Sequence, residues 1–375
     1  MIVLFMIILT TLFTCNKNRG QEPTRTEILY TMPEESEPHE GTWLQWPHQY
    51  QYGVTYRNSL DATWISMTQA LVTSEKVHII VYNQTEKDRI ISLLNTASVP
   101  LTNVDFKIYK TDDVWVRDNG PIYAKDKNNN LVIQDWGFNG WGNKIDGQSG
   151  LLIQSVNCNL IPSKIATDQA KTIVDLNSIM INEGGSIVMD GKGTLLACKS
   201  SILNNNRNPG MTQAQVEGIF TKYLGVTNFI WLDGQVGLDV TDQHIDGFAI
   251  FGNQNTIVTM EQNDLLDYDV KQSDINKLYS AKNKNGKAYT FLKVPLTKKN
   301  VVTTSGINLG HKGSYINYYI ANNKILVPNY NDPNDAVANA IIKTLYPTRT
   351  VVGIDVRNLY ENGGMVHCVT QQQPQ

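Results

Sequence analysis

A short pattern that recurs along the chain constrains its fold more than any other feature of the sequence. An acidic residue precedes glycine and an apolar run in "EGTWLQW", "DNGPIYA", "EGGSIVM", "DGFAIF" and "ENGGMVHCV", and "GSYINYYI" repeats the pattern without the acid. The glycines are Gly41, Gly120, Gly185, Gly247, Gly313 and Gly364, which lie 79, 65, 62, 66 and 51 residues apart. Such spacing indicates repeated supersecondary units, and units arranged around an axis would bring the acids to one centre.

Strand and helix patterns alternate between these segments. "KVHIIVY" and "VDFKIYK" are typical of strands, whereas "DATWISMTQALV" and "TQAQVEGIFTKYLG" have helical spacing. Strands separated by helices predict an α/β architecture. Because no Pro- or Ser-rich linker interrupts the chain, we expect residues 28–375 to form a single domain.

The N-terminal residues differ from the rest. Met1–Phe13 is apolar but shorter than the ~20 residues that span a bilayer, and its length suits the core of a secretory signal. Cys15 follows directly, as in a bacterial lipoprotein signal that is cut before a lipid-carrying cysteine. We therefore predict a signal peptide at 1–15 and a polar tether at 16–27. The protein would be exported, either as a cell-envelope lipoprotein anchored to the membrane through Cys15 or as a periplasmic or secreted protein.

Charge and cysteine content exclude two broad classes of protein. The net charge is −3 with no block of like charges, so nothing in the sequence suggests nucleic-acid binding, which would need a basic face. Besides Cys15, the cysteines are Cys158, Cys198 and Cys368, an odd number without tight spacing, which argues against a disulfide scaffold. Cys198, in "GTLLACKS", is most simply a small buried hydrophobic residue.

The third cysteine lies in an unusual tail. Met365, Val366 and Val369 surround Cys368, and two glycines precede this apolar run. Chain ends are usually polar and frayed, so we expect this one to enter the fold as a strand. The thiol of Cys368 is then either buried packing or a nucleophile.

Four other side chains could carry chemistry. His244 and Asp246 in "DQHIDGF" lie two residues apart, so in an extended segment both face the same side. Asp118 ends a predicted strand before an Asn-Gly-Pro turn, and Glu183 precedes two glycines. Each is, taken singly, more typical of a structural role. His367 should point away from Cys368 in a regular strand, so His244 is the better candidate for a base.

Together these residues give three acids, a base and a thiol. Three carboxylates repel one another unless a cation lies between them. A guanidinium is always charged and presents a planar fork of donors that matches carboxylates. Hydrogen bonds to charged groups contribute roughly 1.5–3 kcal/mol each, enough for two acids to orient it. Its carbon is a poor electrophile and needs a strong nucleophile such as the Cys368 thiolate, which the bound cation and His244 would favour.

Long segments of the chain resemble one known family. They are "MPEESEPHEGTWLQWP", "DVWVRDNGP", "WGFNGWGNK", "INEGGSIVMDGKGTLLACKSSILNNNRNP", "TDQHIDGFAIF" and "NGGMVHCVTQQQP", and they run in order from about Met32 to Pro374. This set resembles the agmatine deiminase family, which includes the bacterial peptidylarginine deiminase and belongs to the guanidine-modifying pentein superfamily.

The resemblance implies a fold and a set of roles. The fold would be a pentein-type α/β propeller, with five ββαβ modules around a pseudo-fivefold axis and the first and last strands in one module. The implied site comprises the nucleophile Cys368, the acid/base His244, the guanidinium-binding Asp118 and Asp246, Glu183 orienting the histidine, and Trp115 lining the pocket, where it could contact the cation. No metal or organic cofactor is implied, and relatives indicate a homo-oligomer.

Several alternatives stay open at this level. "FNGWGNK" and "HCVTQQQP" favour agmatine, giving N-carbamoylputrescine and ammonia. Export favours peptidyl-arginine, and Gln243 and Gly247 depart from the family pattern around His244. A non-catalytic guanidinium-binding lipoprotein would need the acids but not the thiol, and a metallohydrolase would use Cys368, His244 and the acids as ligands. Residues 137–144 suit either a lid or an ordinary connection.

Overall fold

The computed structural model describes residues 26–146 and 150–375. The predicted signal peptide with Cys15 lies outside these ranges, as does most of the predicted tether. The strands are β1 Tyr30–Thr31, β2 His39–Gln45, β3 Lys76–Val81, β4 Val104–Ile108, β5 Ile122–Asp126, β6 Leu131–Gly137, β7 Ile173–Ile181, β8 Ile187–Met189, β9 Thr194–Cys198, β10 Asn228–Leu232, β11 Ile250–Asn253, β12 Thr256–Thr259, β13 Thr290–Lys293, β14 Asn300–Val302, β15 Asn308–Lys312, β16 Tyr319–Ile320, β17 Lys324–Asn329, β18 Thr350–Asp355 and β19 Gln371–Pro374.

Helices connect these strands. They are α1 Gln49–Leu71, α2 Gln84–Thr96, α3 Val116–Asn119, α4 Gly140–Asn143, α5 Ile161–Asp168, α6 Lys199–Ile202, α7 Gln213–Leu224, α8 Gln262–Asp267, α9 Gln272–Tyr279, α10 Asn334–Leu345 and α11 Arg357–Tyr360. Short 3₁₀ turns occur at Cys158–Leu160, Gly184–Ser186, Ile245–Gly247 and His367–Val369. In the part of the chain that the structure describes, no helix is long and apolar enough to cross a membrane.

Five sheets among the described residues repeat one arrangement. In each, two antiparallel strands are followed by at least one helix and then by a strand parallel to the second. Four of these units are β5-β6-β7, β8-β9-β10, β11-β12-β13 and β16-β17-β18. The short strand β1 extends the first sheet, and β14 pairs with β15 in a separate hairpin. This is the ββαβ order that the resemblance implies.

The fifth unit joins the two ends of the chain. Strand β19 pairs antiparallel with β2, with Gln371 opposite Trp43, and β2 pairs in parallel with β3 after α1. The six glycines of the recurring pattern therefore mark five units, because Gly41 and Gly364 belong to the same one. The prediction that the first and last strands share a module is confirmed for β2 and β19, whereas the two-residue strand β1 before them pairs with β5.

Local sequence explains the regular elements. Thr212 accepts a hydrogen bond from the backbone of Gln215 and completes a capping box at the start of α7, which ends at Gly225 in the left-handed conformation (φ 76°). Strand β3 is flanked by two parallel neighbours, and all its residues after Lys76 are buried, as expected for a strand covered on both faces. Buried Leu60 and Trp64 of α1 belong to the main apolar core.

The tail of the chain differs from its predicted strand. Cys368 lies in the 3₁₀ turn at His367–Val369, and the strand begins only at Gln371. The His367 N–H donates to Asn317, and the His367 carbonyl accepts from Arg117 Nε at 3.3 Å. The backbone groups of His367 thus bond to Asn317, through its carbonyl and its side chain, and to the Arg117 side chain, rather than to a neighbouring strand.

Two acids also lie in turns rather than in extended chain. Asp118 is on the single-turn helix α3, and Asp246 is in the 3₁₀ turn at Ile245–Gly247. Asp242 and Gln243, just before that turn, have positive φ values of 60° and 71°. His244 and Asp246 still line one cavity, although the extended geometry predicted for this segment is wrong.

Candidate active site

A cavity of about 760 Å³ opens where the turns that precede the first strands of the units meet. Its lining includes five predicted site residues, Trp115, Asp118, His244, Asp246 and Cys368. The sixth, Glu183, is fully buried behind His244. The structure thus brings together all six residues that the sequence singled out.

Gly185 marks the point at which three units converge. A Cβ atom added to it would lie 2.7 Å from His244 Nδ1, 2.8 Å from Asp118 Oδ1 and 3.0 Å from Asp246 Oδ2. These distances are shorter than normal contacts, so this position accepts only glycine while the three side chains keep their places. The predicted convergence of acids therefore holds in part. Asp118 and Asp246 meet at this residue, with Glu183 next to them behind His244. Glu361 lines the cavity elsewhere, and Glu40 pairs with Lys76 and His78 instead.

The imidazole of His244 lies between two carboxylates. Its Nε2 is 2.8 Å from Glu183 Oε2, and its Nδ1 is 3.7 Å from Asp118 Oδ1. Burial disfavours the charged ring, but Asp118, Glu183 and Asp246 outweigh this effect and raise the pKa of His244 to about 9. His244 is therefore an imidazolium at neutral pH and has a proton to give.

Glu183 is held by an arginine that the sequence did not single out. Arg207 Nε and Nη2 donate to the two carboxylate oxygens at 2.9 and 3.3 Å, and its Nη1 donates to Asp242. Burial alone would raise the pKa of Glu183, but Arg207 and His244 lower it below its usual value. Glu183 is thus a fixed anion that orients His244 and stabilises its charged form.

Asp118 has two donors on its carboxylate. The Gly185 N–H donates to Oδ1 at 3.0 Å, and Trp141 Nε1 donates to Oδ2 at 2.9 Å. Burial raises the pKa of Asp118, and the charges of Glu183 and Asp246 add to this effect. Trp141 is in the segment 137–144 that could have been a lid, and here it is a buried wall of the cavity with φ 54°.

Cys368 is half-buried at the base of the cavity, unlike the buried Cys158 and Cys198. Its Sγ is 3.4 Å from Asn317 Oδ1 and 3.9 Å from Asp246 Oδ2. Burial, followed by the charges of Asp246 and Asp118, raises the pKa of this thiol. Without a cation in the cavity the thiol therefore stays protonated, and the thiolate expected when a cation is bound beside His244 stays a prediction.

The aromatic wall beside the thiol depends on a glycine. A Cβ atom on Gly364 would lie 2.0 Å from Cζ3 of Trp115, so the indole packs directly on the backbone. Trp115 is 7% exposed and lines the cavity. One of the two glycines before Cys368 thus makes room for the predicted substrate-binding ring.

Several residues around the site could not be predicted from local sequence patterns. Arg207 lies in a motif whose individual positions carried no signal, and Asn317 is in the one recurring segment that lacks an acid. His367 does not line the cavity but contacts Asp246 from outside it, with Nδ1 2.8 Å from Oδ2. Their contacts join distant parts of the chain.

Comparison with known proteins gives a consistent result. The model of the Porphyromonas-type peptidyl-arginine deiminase family matches residues 31–374. The agmatine deiminase of Pseudomonas aeruginosa (strain LESB58) is 30% identical over 362 residues, which span 92% of this chain and 95% of the relative. The agmatine deiminase of Stutzerimonas stutzeri (strain A1501) is 30% identical over 361 residues, with the same coverage of 92% and 95%.

A solved structure agrees over almost the whole chain. The agmatine deiminase of C. jejuni with substrate bound has a TM-score of 0.75 at 26% identity and covers 93% of this chain and 97% of its own. Fold and site together define a hydrolase of the pentein superfamily that acts on C–N bonds of guanidinium groups. The chain belongs to the agmatine deiminase and bacterial peptidyl-arginine deiminase family.

Proposed function

We propose that this protein hydrolyses agmatine to N-carbamoylputrescine and ammonia through a covalent intermediate on Cys368. The observation that carries the proposal is the meeting of Asp118, His244 and Asp246 around Gly185, next to the Cys368 thiol. The agmatine deiminases of Pseudomonas aeruginosa and Stutzerimonas stutzeri each match 92% of the chain, which supports this substrate.

Binding would be driven by charge. Asp118 and Asp246 are buried near each other, and a guanidinium between them offsets their repulsion while its N–H groups donate to both. The same carboxylates raise the pKa of Cys368 in the free protein. A bound cation opposes that effect, so substrate binding promotes loss of the thiol proton to solvent.

The first half-reaction forms the intermediate. The Cys368 thiolate attacks the guanidinium carbon and forms a C–S bond. His244, protonated at neutral pH, gives its proton to the departing nitrogen, the C–N bond breaks, and ammonia leaves. A thiouronium cation remains on Cys368, and His244 is neutral. Glu183 keeps the imidazole in place through its 2.8 Å hydrogen bond.

The second half-reaction restores the enzyme. Neutral His244 takes a proton from water, and the resulting hydroxide attacks the thiouronium carbon. The tetrahedral adduct collapses, the C–S bond breaks, and the thiolate and the ureido product are released with one proton, which ammonia accepts in solution. No step uses a metal, and among the described residues no group of three His, Cys, Asp or Glu side chains is arranged to hold one.

The outer wall of the cavity favours a substrate with a second positive charge. It carries Asp113, Asp239, Asp269 and Glu361, and no arginine is among the described residues that line it. Of its two lysines, Lys144 pairs with Asp242 and Lys312 with Asp267. The primary ammonium of agmatine suits this wall, whereas the carboxylate of free arginine would be repelled.

A peptidyl-arginine substrate is the second candidate, because the matching family model is that of a peptidyl-arginine deiminase. A peptide also lacks the free carboxylate of arginine next to its guanidinium side chain. It would, however, have to place its backbone at the cavity mouth. Agmatine and a peptide are therefore compared directly in the assay.

The test measures ammonia and ureido product from agmatine, free arginine and an arginine-containing peptide. We expect agmatine to be turned over, Cys368→Ala to abolish the reaction, and the matched variant Cys198→Ala to preserve it, since Cys198 is buried in β9. If only the peptide is turned over, the substrate is peptidyl-arginine rather than agmatine. Binding of guanidinium compounds without any turnover would make the protein a non-catalytic receptor.

A further inference from the structure

We propose that His367 is a positioning residue for deimination: from outside the cavity it fixes the Asp246 carboxylate and offsets its charge beside the Cys368 thiol. The inference rests on the function proposed above. In a regular strand His367 would point away from Cys368, but His367 lies in the 3₁₀ turn His367–Val369. It is 5% exposed and next to the nucleophile in the chain.

The geometry requires a charged ring. Nδ1 of His367 is 2.8 Å from Asp246 Oδ2, and Nε2 is 2.9 Å from Glu35 Oε2. Ionised carboxylates only accept hydrogen bonds, and a neutral imidazole has a single N–H. Both contacts are therefore satisfied together when His367 is an imidazolium that donates from each nitrogen.

Glu35 is held in its ionised form. The Ile320 N–H donates to Oε1 at 2.9 Å, and Arg117 Nη2 lies 3.2 Å from Oε2. Burial opposes the charge, but His367 and Arg117 outweigh it and lower the pKa of Glu35 to about 2. The pKa of His367 is raised: burial and Arg117 oppose its charge, whereas Glu35 and Asp246 favour it more strongly.

The nucleophile and the positioning ring share one turn of the chain. Asp246 Oδ2, the oxygen that His367 contacts, is also 3.9 Å from Cys368 Sγ. The charged groups that face His367 are Glu35, Arg117 and Asp246, and Cys368 follows it in the turn. Because Asp246 raises the pKa of the thiol, an imidazolium on the same oxygen reduces that effect and prevents the carboxylate from rotating.

The test is His367→Gln in the full-length protein, with two measurements. The value of kcat/KM for agmatine should fall at least about tenfold, because a misplaced carboxylate loses the geometry of attack. Alkylation of Cys368 by iodoacetamide at pH 8, followed by mass spectrometry, should slow about tenfold, since loss of a cation this near raises the pKa of the thiol further and leaves less thiolate. The alkylation needs no substrate, so it reports on His367 even if agmatine is not the substrate.

A second histidine provides the matched control. His78 is also 5% exposed and lies between two carboxylates, with Nε2 2.9 Å from Glu40 and Nδ1 3.2 Å from Asp105, but it does not line the cavity. His78→Gln should leave both measurements unchanged. Equal losses in the two variants would mean a general effect on the fold and would overturn the proposal.

Glu35→Gln keeps the proposal testable if His367→Gln does not fold. It leaves the imidazole in place but removes the anion that stabilises its charge, so the alkylation of Cys368 should again slow at pH 8. Normal alkylation and normal kcat/KM in either folded variant would show that His367 has no positioning role.

Discussion

Two histidines of this protein each belong to an ion-pair chain, a series of arginine, glutamate, histidine and aspartate side chains in contact. The two ion-pair chains lie on different sides of the cavity wall. Arg207, Glu183 and His244 lead to Asp118, whereas Arg117, Glu35 and His367 lead to Asp246. In both chains the arginine holds the glutamate ionised, and the two carboxylates raise the pKa of the histidine. The charge of each ring is therefore set by its neighbours.

The two chains differ in their last contact. His244 Nδ1 is 3.7 Å from Asp118, too far for a hydrogen bond, and His244 lines the cavity. His367 Nδ1 is 2.8 Å from Asp246, and its ring does not line the cavity. One nitrogen of His244 is thus available to a ligand, whereas both nitrogens of His367 already contact carboxylates. Access, rather than charge, separates a group that transfers protons from one that holds a carboxylate in place.

The largest effect is expected for His244→Gln. Because general acid–base catalysis contributes about 10²- to 10⁴-fold, kcat for agmatine should fall roughly a thousandfold, far more than in His367→Gln. Steady-state kinetics of both variants, with circular dichroism to verify folding, make the comparison. Equal losses would remove the distinction between the two histidines.

Glu183→Gln should act through the charge of His244. Without this anion the pKa of His244 falls from about 9 towards its usual 6.5, so less imidazolium is present at alkaline pH. We expect kcat at pH 8 to fall about 10- to 100-fold and its high-pH limb to move to lower pH. A pH profile from 6 to 10 measures this shift, and an unchanged limb would mean that Glu183 does not control the proton of His244.

The ion-pair chain outside the cavity, which contains Glu35, should make the free energy of unfolding depend on pH in the acid range. Glu35 has a folded-state pKa of about 2 against 4.5 in its ordinary state, so its stabilisation is present above pH 4.5 and is lost as pH falls towards 2. The free energy of unfolding of Glu35→Gln should depend less on pH in this range, by about 1 to 3 kcal/mol. Urea unfolding at pH 5, 4, 3 and 2 tests this, and parallel curves for the two proteins would contradict it.

The smallest effect is expected at the outer cavity wall. Burial raises the pKa of Asp113 to about 6, so this carboxylate is ionised at pH 7.5 and can attract the distal ammonium of agmatine. Removing its charge in Asp113→Asn should raise KM up to about fivefold with kcat unchanged. Asp113 already accepts hydrogen bonds from Tyr52 and Val114, so its attraction for a mobile ammonium contributes at most about 1 kcal/mol. A fall in kcat with KM unchanged would instead place Asp113 near the reacting atoms.

Much of the architecture followed from local sequence. The apolar runs of β3 and β4 and the helical spacing within α1 and α7 predicted those elements, because burial imposes periods of 2 and 3.6 on the chain. The recurring glycines predicted the units, since each unit needs a turn in which its neighbours approach closely. The candidate residues Asp118, Glu183, His244, Asp246 and Cys368 all lie in these segments or beside them.

What the tertiary structure decided was how those residues are held and what each can reach. The turns that carry Asp246 and Cys368 depend on side chains from other units, such as Asn317, and apolar periodicity does not report such turns. Glu35 and His367 are 332 residues apart and meet only because β19 closes the ring against β2. Residue type and local pattern determined the groups available for chemistry. Their distances, and therefore their pKa values and their access to the cavity, arose from long-range packing that no local segment encodes.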